Sequence, residues 1–175
     1  VMSTDVNAGQ VRGPVQLTFG RSVDPILGLD AAITRVALTK PDPKQADDDE
    51  TARSGTMGRK AYIPYGLYLA HGFFVPSFAE STGFDSKDLE LLWQALINMW
   101  DLDRSASRGL TGCRGLYVFS HESKLGNAPA HKLLERVQVE RKDEGRAARA
   151  FSDYTVSVNQ GDLPSGVQLH VLSEG

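Results

Sequence analysis

Cysteine is nearly absent from the sequence, and this scarcity excludes two common ways of stabilising a fold. Cys113 is the one cysteine among 175 residues, so the chain cannot form an intrachain disulfide. A zinc site built mainly from thiolates is excluded for the same reason. A lone thiol agrees with a reducing environment, and we expect a cytoplasmic protein.

Long hydrophobic runs are also lacking. No stretch approaches the about 20 consecutive apolar residues that span a bilayer, so no membrane association is expected. The apolar fraction of 41% and the mean hydropathy of −0.28 are ordinary for a globular protein. The length favours a single domain over residues 1–175.

Neither sign of charge dominates the chain, which carries 19 Lys and Arg against 22 Asp and Glu. The segment PDPKQADDDE, residues 41–50, holds five of the acids and one of the bases. Removing those six charges leaves 17 acids and 18 bases in the rest of the chain. Overall charge therefore neither supports nor excludes a nucleic-acid partner, and the positions of the cations must decide.

Apolar residues that alternate with polar ones predict about seven strands. The strands are expected within residues 13–25, 31–40, 61–75, 113–122, 137–139, 154–158 and 167–172. Two segments have helical spacing instead, residues 84–104 and 127–137, with Asn127 near the cap of the second. This combination predicts an α+β fold with an antiparallel sheet covered by helices on one face.

The longer predicted helix has a clear beginning and one apolar side. Asp85 is a good N-cap residue and Asp88 stands at the third helical position. The apolar stripe of this helix is expected to be core, and its members are Leu89, Leu92, Leu96, Trp93 and Trp100.

Residues 41–58 are rich in Pro, Gly and charge, and they predict a long excursion between two strands. Such loops are either functional or disordered. Two interpretations of the acidic segment stay open: a contact for a neighbouring subunit, or a solvated loop.

Metal and thiol chemistry are poorly supported. The four histidines lack short ligand spacings, although His121 with Glu122 and His131 could converge. Cys113 begins a predicted strand, where a lone cysteine is more typical of a small buried residue than of a nucleophile.

Phosphate binding has better candidates. SKLGNAPAHKL, residues 123–133, runs from a glycine into a helix N-terminus beside Lys124, which suits a phosphate, although an ordinary capped helix explains it equally well. Further cations stand at predicted strand ends and loops, and they form two groups along the sequence. The first comprises Arg12, Arg21, Arg35, Arg53, Arg59 and Lys60, and the second Arg104, Arg108, Arg114 and Lys124. Solvated strand ends are the alternative. The aromatic RNA-recognition signature is not met, so base stacking on the sheet is not expected.

Four blocks of sequence carry a resemblance to a known family. They are GQVRGPVQLTFGRSVDPI, TMGRKAYIPYGLYLAHGF, DLELLWQALINMW and RGLYVFSHESKLGNAPAHKL. In this order they resemble the backbone (seven-family) subunit of the type I-C CRISPR Cascade surveillance complex. The resemblance implies a modified ferredoxin-like (RNA-recognition-motif-like) core with a thumb insertion, which we place at about residues 24–58. Because the family has a further N-terminal region that includes the first core strand, we expect the C-terminal portion of a longer subunit.

The resemblance also implies a function. The subunit would be a non-catalytic scaffold without cofactors that polymerises along the CRISPR RNA. Its partners would be that RNA, target DNA through the guide, copies of itself and other Cascade subunits. A guide holder must grip phosphate and leave the bases free, which requires dispersed cations. The expected RNA-binding residues are Arg12, Arg21, Arg59, Lys60, Lys124 and Asn127.

One enzymatic alternative stays open. Backbone subunits of type III effectors resemble this fold and cut RNA with a thumb-loop aspartate and a divalent metal. Asp24 and Asp30 lie in a comparable loop of this chain. The non-catalytic interpretation is that an aspartate before a proline, as at Asp24, forms a turn.

Overall fold

The computed structural model describes residues 10–35 and 56–175, and the statements below concern those residues. The acidic segment, Arg53, the side chain of Arg35 and most of the predicted excursion lie outside them. The strands are β1 (Val15–Leu17), β2 (Arg21–Ser22), β3 (Leu29–Arg35), β4 (Thr56–Tyr62), β5 (Tyr68–Leu69), β6 (Gly72–Phe74), β7 (Gly115–His121), β8 (Val137–Arg141), β9 (Tyr154–Val158) and β10 (Val167–Glu174). The helices are α1 (Pro76–Thr82), α2 (Ser86–Leu102), α3 (Ala130–Leu134) and a 3-10 turn at Phe151–Asp153.

All strand pairing in the described residues is antiparallel, and it is divided among five separate two-stranded sheets. The pairs are β1–β6, β2–β5, β3–β4, β7–β10 and β8–β9. The prediction of helices combined with antiparallel strands is confirmed. The prediction of one continuous sheet is not met in the described ranges, because each strand there pairs along one edge only.

The strand predicted over residues 13–25 is interrupted near Gly20. β1 places Val15 opposite Phe74, whereas β2 places Arg21 opposite Leu69, so the register shifts by one residue between them. Thr18 bridges the break: its amide donates to the His71 carbonyl at 2.8 Å, and its hydroxyl accepts from the His71 amide at 2.9 Å. A one-residue shift of this kind is a bulge, which bends the strand.

The predicted beginning of the long helix is confirmed. In α2 the Asp85 carboxylate accepts from the amides of Lys87 at 2.7 Å and Asp88 at 3.1 Å. The Asp88 carboxylate accepts in return from the Asp85 amide at 3.0 Å. This reciprocal capping box satisfies amides that the first helical turn leaves without partners.

Helix α1 is an element that the strand and helix patterns missed. It begins at Pro76 and ends before Gly83, which has a positive φ of 74°. Proline in the first turn and a left-handed glycine after the last turn are recognisable helix boundaries, so this local signal was present in the sequence.

The core of the described part is small. Its buried hydrophobic residues are Ala79, Leu133, Tyr154 and Val167. The α2 stripe, expected to be core, contains no buried residue, and Trp100 remains 40% exposed. A two-stranded sheet offers a helix less surface to pack on than a wide sheet does, and the described residues form no wider sheet. None of the described helices is both long enough and apolar enough to cross a membrane.

Candidate nucleic-acid interface

β3 and β4 form an antiparallel pair, here called the ribbon, which carries two of the predicted RNA-binding cations. Thr56–Gly58, predicted as part of an irregular excursion, belongs to β4. In the ribbon Arg59 stands opposite Ala32 and Lys60 opposite Ala31. Successive side chains on a strand point to opposite faces. Arg59 and Lys60 therefore lie on different faces of the ribbon.

The face that carries Arg59 is open to solvent. The Arg59 side chain is exposed, and it forms no hydrogen bond or ion pair with the part of the chain that the structure describes. Asp30 stands on the same face, opposite Ala61, and is also exposed. No ion pair joins Arg59 to Asp30. Among the described residues no group uses the donors of the Arg59 guanidinium, which suits contact with an anion.

The face that carries Lys60 meets the turn after α2. The Lys60 ammonium donates a hydrogen bond to the carbonyl of Ala106. That turn is closed by two backbone hydrogen bonds between Ser105 and Arg108, at 3.0 and 3.1 Å. Arg108 in turn pairs with Asp103 at 2.9 Å. The structure therefore brings Lys60, from the first group of cations, to a turn that contains Arg108, from the second.

Arg12 and Lys124 are both attached to helix α1. The Arg12 guanidinium lies 5.6 Å from the centre of the Phe78 ring, which is within the range of a cation–π contact. The Lys124 ammonium pairs with Glu80, and both side chains are largely exposed. An exposed pair of this kind is weak, so Lys124 can exchange Glu80 for a phosphate at little cost.

Asn127 and Arg21 have contrasting surroundings. The Asn127 side-chain oxygen accepts from the Ser123 backbone amide at 2.9 Å, and the Asn127 backbone amide donates to His121 Nδ1 at 2.9 Å. Asn127 therefore closes the turn before α3. The N-cap of α3, which the sequence pattern placed near Asn127, is Pro129, and its side chain offers no hydrogen-bond acceptor. Arg21 stands in β2, exposed, without a polar side-chain partner among residues 10–35 and 56–175.

A half-buried cluster that the sequence did not suggest surrounds Asp24. One carboxylate oxygen of Asp24 accepts a hydrogen bond from the Tyr154 hydroxyl, and the other lies 3.7 Å from the Arg141 guanidinium. The Asp24 side chain is 20% exposed, that of Arg141 17%, and Tyr154 as a whole 5%. The Tyr65 ring centre lies 6.3 Å from that of Tyr154. We call Asp24, Tyr65, Arg141 and Tyr154 the stem junction.

The surroundings in the stem junction raise the pKa of both tyrosines. Burial raises the pKa of Tyr154 above that of a free tyrosine, and the hydrogen bond to Asp24 and its negative charge raise it further. Burial also raises the pKa of Tyr65. A cavity of about 160 Å³ lies beside the junction, lined partly by Ile26 and Leu27.

The structure assembles no metal site in the part of the chain that it describes. No group of three or more His, Cys, Asp or Glu side chains lies close enough there to share an ion. His121 uses Nδ1 to accept from the Asn127 amide instead of converging with Glu122 and His131. Cys113 is half-buried and free.

The comparison with protein families decides the identity of the chain. The sequence model of the family described as CRISPR-associated protein Cas7 matches residues 1–159. The chain belongs to the Cas7 family. A Cas7 protein is a CRISPR RNA-binding backbone subunit of a CRISPR effector complex. A search of curated proteins found no match.

Proposed function

We propose that this Cas7 protein is the non-catalytic backbone subunit of a type I-C Cascade complex. Copies of it polymerise along one CRISPR RNA in the cytoplasm, beside other Cascade subunits. Each copy grips the sugar–phosphate chain and leaves the bases free to pair with target DNA. The fold of the subunit is a ferredoxin-like core with a thumb. The family match supports the RNA-binding role, and the four sequence blocks support the type I-C subtype.

The observation that carries this proposal is the exposed Arg59 on a two-stranded ribbon. A phosphate contact requires a cation whose donors are not already used, and Arg59 has no polar partner among the described residues. Arg21 meets the same condition. Contacts of this type fix the position of a nucleic acid and carry no sequence information, which suits a protein that must hold any guide.

Sequence independence gives a direct test of the proposal. The full subunit is titrated with several guide RNAs of equal length and unrelated spacer sequence, and a complementary DNA strand is then added to each complex. We expect equal affinity for all guides and annealing of the DNA to the bound RNA. A strong preference for one spacer, or bound RNA that cannot anneal, would overturn the proposal.

The metal-dependent endonuclease is the second candidate, and one observation favours it. Asp30 is exposed on the same ribbon face as Arg59, so an RNA held by Arg59 would pass near its carboxylate. The assembled complex is incubated with complementary RNA and Mg²⁺, with Asp30→Ala as the matched variant. Intact target RNA in both reactions supports the scaffold. Cleavage by the wild type that Asp30→Ala abolishes establishes the enzyme.

A further inference from the structure

Two segments connect the base of the ribbon to the rest of the chain, and both contact the same hairpin. We call these segments, which precede β3 and follow β4, the stems. Asp24 lies in the first stem and Tyr65 in the second, so the stem junction contains one residue from each. Both contact the β8–β9 hairpin, where Arg141 and Tyr154 stand directly opposite each other in the register. The Arg141–Tyr154 pair of the hairpin therefore contacts both stems of the ribbon.

Few polar side-chain contacts besides those of the stem junction hold the ribbon. The bond between Lys60 and Ala106 is the one other side-chain hydrogen bond or ion pair that joins residues 24–35 and 56–66 to the rest of the described chain. Lys60 reaches Ala106 through a long, rotatable side chain, whereas the stem junction is mostly buried. An isolated two-stranded hairpin is marginally stable in water, so its orientation depends on what holds its base.

Further hydrogen bonds hold Arg141 of the junction in place. The Arg141 guanidinium donates to the carbonyl of Asp143 at 2.8 Å and to that of Arg146, which fixes it against the loop that follows β8. Asp24 then accepts a hydrogen bond from Tyr154 at one carboxylate oxygen, and its other oxygen forms an ion pair with Arg141 at 3.7 Å. Removing either partner would leave a half-buried carboxylate with a partner missing, which is costly.

We propose that the stem junction sets the orientation of the ribbon, and that Asp24, Tyr65, Arg141 and Tyr154 are positioning residues for guide-RNA binding. The second half of this statement rests on the proposed function. Arg59 stands three residues before the end of β4, about 10 Å from the base of the ribbon. A rotation of about 20° at the base would move Arg59 by roughly 3.5 Å, more than the length of a hydrogen bond.

The first test measures orientation without RNA. Spin labels are attached to the full subunit through Met57→Cys on the ribbon and Gln138→Cys on β8, both exposed positions, in a Cys113→Ser background. We expect one narrow distance distribution, which Tyr154→Phe broadens by removing a hydroxyl and keeping the ring. Tyr117→Phe is the control, because Tyr117 is a half-buried tyrosine outside the junction. Equally narrow distributions in Tyr154→Phe and in a second variant, Asp24→Asn, would overturn the proposal.

The second test couples the junction to RNA. We expect Arg59→Ala to weaken guide affinity at least about tenfold in the wild-type background, as for one hydrogen bond to a charged group, and less than twofold in the Tyr154→Phe background. If Tyr154→Phe only lowered stability, Arg59→Ala would weaken guide affinity by the same factor in the folded molecules of both backgrounds. Equal factors in the two backgrounds would therefore refute a positioning role. A wild-type protein that binds no guide would refute the proposed function, while the label distances still decide whether the junction orients the ribbon.

Discussion

Arg59→Ala and Lys60→Ala should change RNA binding unequally, although the two residues are neighbours in sequence. They project from opposite faces of the ribbon, so one strand of RNA crossing one face contacts only one of them. Arg59 is exposed without a polar partner among the described residues, whereas Lys60 is half-buried and bonded to Ala106. We therefore expect Arg59 to supply the phosphate contact.

The size of the difference follows from counterion release. Each phosphate contact on single-stranded RNA contributes about 0.7 to the slope of log affinity against log salt. When the salt concentration rises from 50 to 200 mM, a variant that lacks one contact should therefore lose about 2.6-fold less affinity than the wild type loses. Arg59→Ala should show this full change. Lys60→Ala should lower the slope by less than about 0.3, because its ammonium already donates to a backbone carbonyl.

The assay is fluorescence anisotropy of an end-labelled guide titrated with the full subunit at four salt concentrations. Lys87→Ala is the control for general loss of positive charge, since Lys87 is an exposed cation in the first turn of α2. We expect its slope to match the wild type. Equal flattening by Arg59→Ala and Lys60→Ala would refute the assignment of one RNA-facing side, and an unchanged slope in Arg59→Ala would remove that residue from the interface.

Three further predictions concern stability and are checked by thermal unfolding followed by circular dichroism. Asp85→Ala removes the α2 cap and should lower the free energy of unfolding by about 1 kcal/mol, or the Tm by roughly 2–4 °C. The control Asp101→Ala, an exposed position in the last turn of α2, should change that free energy by less than about 0.5 kcal/mol. Leu133→Ala should cost about 2–5 kcal/mol because Leu133 is 2% exposed, and Leu125→Ala, at 99% exposure, should be nearly neutral. Hydrogen bonds from two backbone amides lower the pKa of Asp153 in the folded protein, because they favour the charged carboxylate. The Asp153 carboxylate therefore stabilises the fold at neutral pH, and this contribution is lost as the pH falls below about 4. Asp153→Asn should flatten the pH dependence in that range, and an unaltered profile would contradict the assignment.

Local elements were predictable because their signals lie within a few residues. The capping box of α2 needs Asp85 and Asp88 alone, and the apolar run of β7 lies within seven residues. The division into five small sheets was not predictable, because strand order depends on contacts between distant segments. The exposure of the α2 stripe has the same origin: periodicity shows which side of a helix is apolar, but not how much surface covers it.

The candidate interface divides in the same way. The opposite orientation of Arg59 and Lys60 follows from the two-residue period of a strand, once both are assigned to β4. The stem junction had no comparable signal, since Asp24 and Tyr154 are 130 residues apart and no spacing pattern links them. Asn127 shows the opposite problem: its position before a helix suggested phosphate binding, and its side chain closes a turn. Its contact with RNA stays a prediction.

The stem junction also changes how the endonuclease alternative must be tested. Asp24 was one of its two candidate aspartates, and both of its carboxylate oxygens face donors of the junction. Asp24 would have to leave Arg141 and Tyr154 to hold a metal. Asp24→Ala would also release the ribbon, so a loss of cleavage in that variant could reflect misplaced RNA alone. Asp30 is exposed on the ribbon and takes no part in the junction, so Asp30→Ala separates catalysis from positioning.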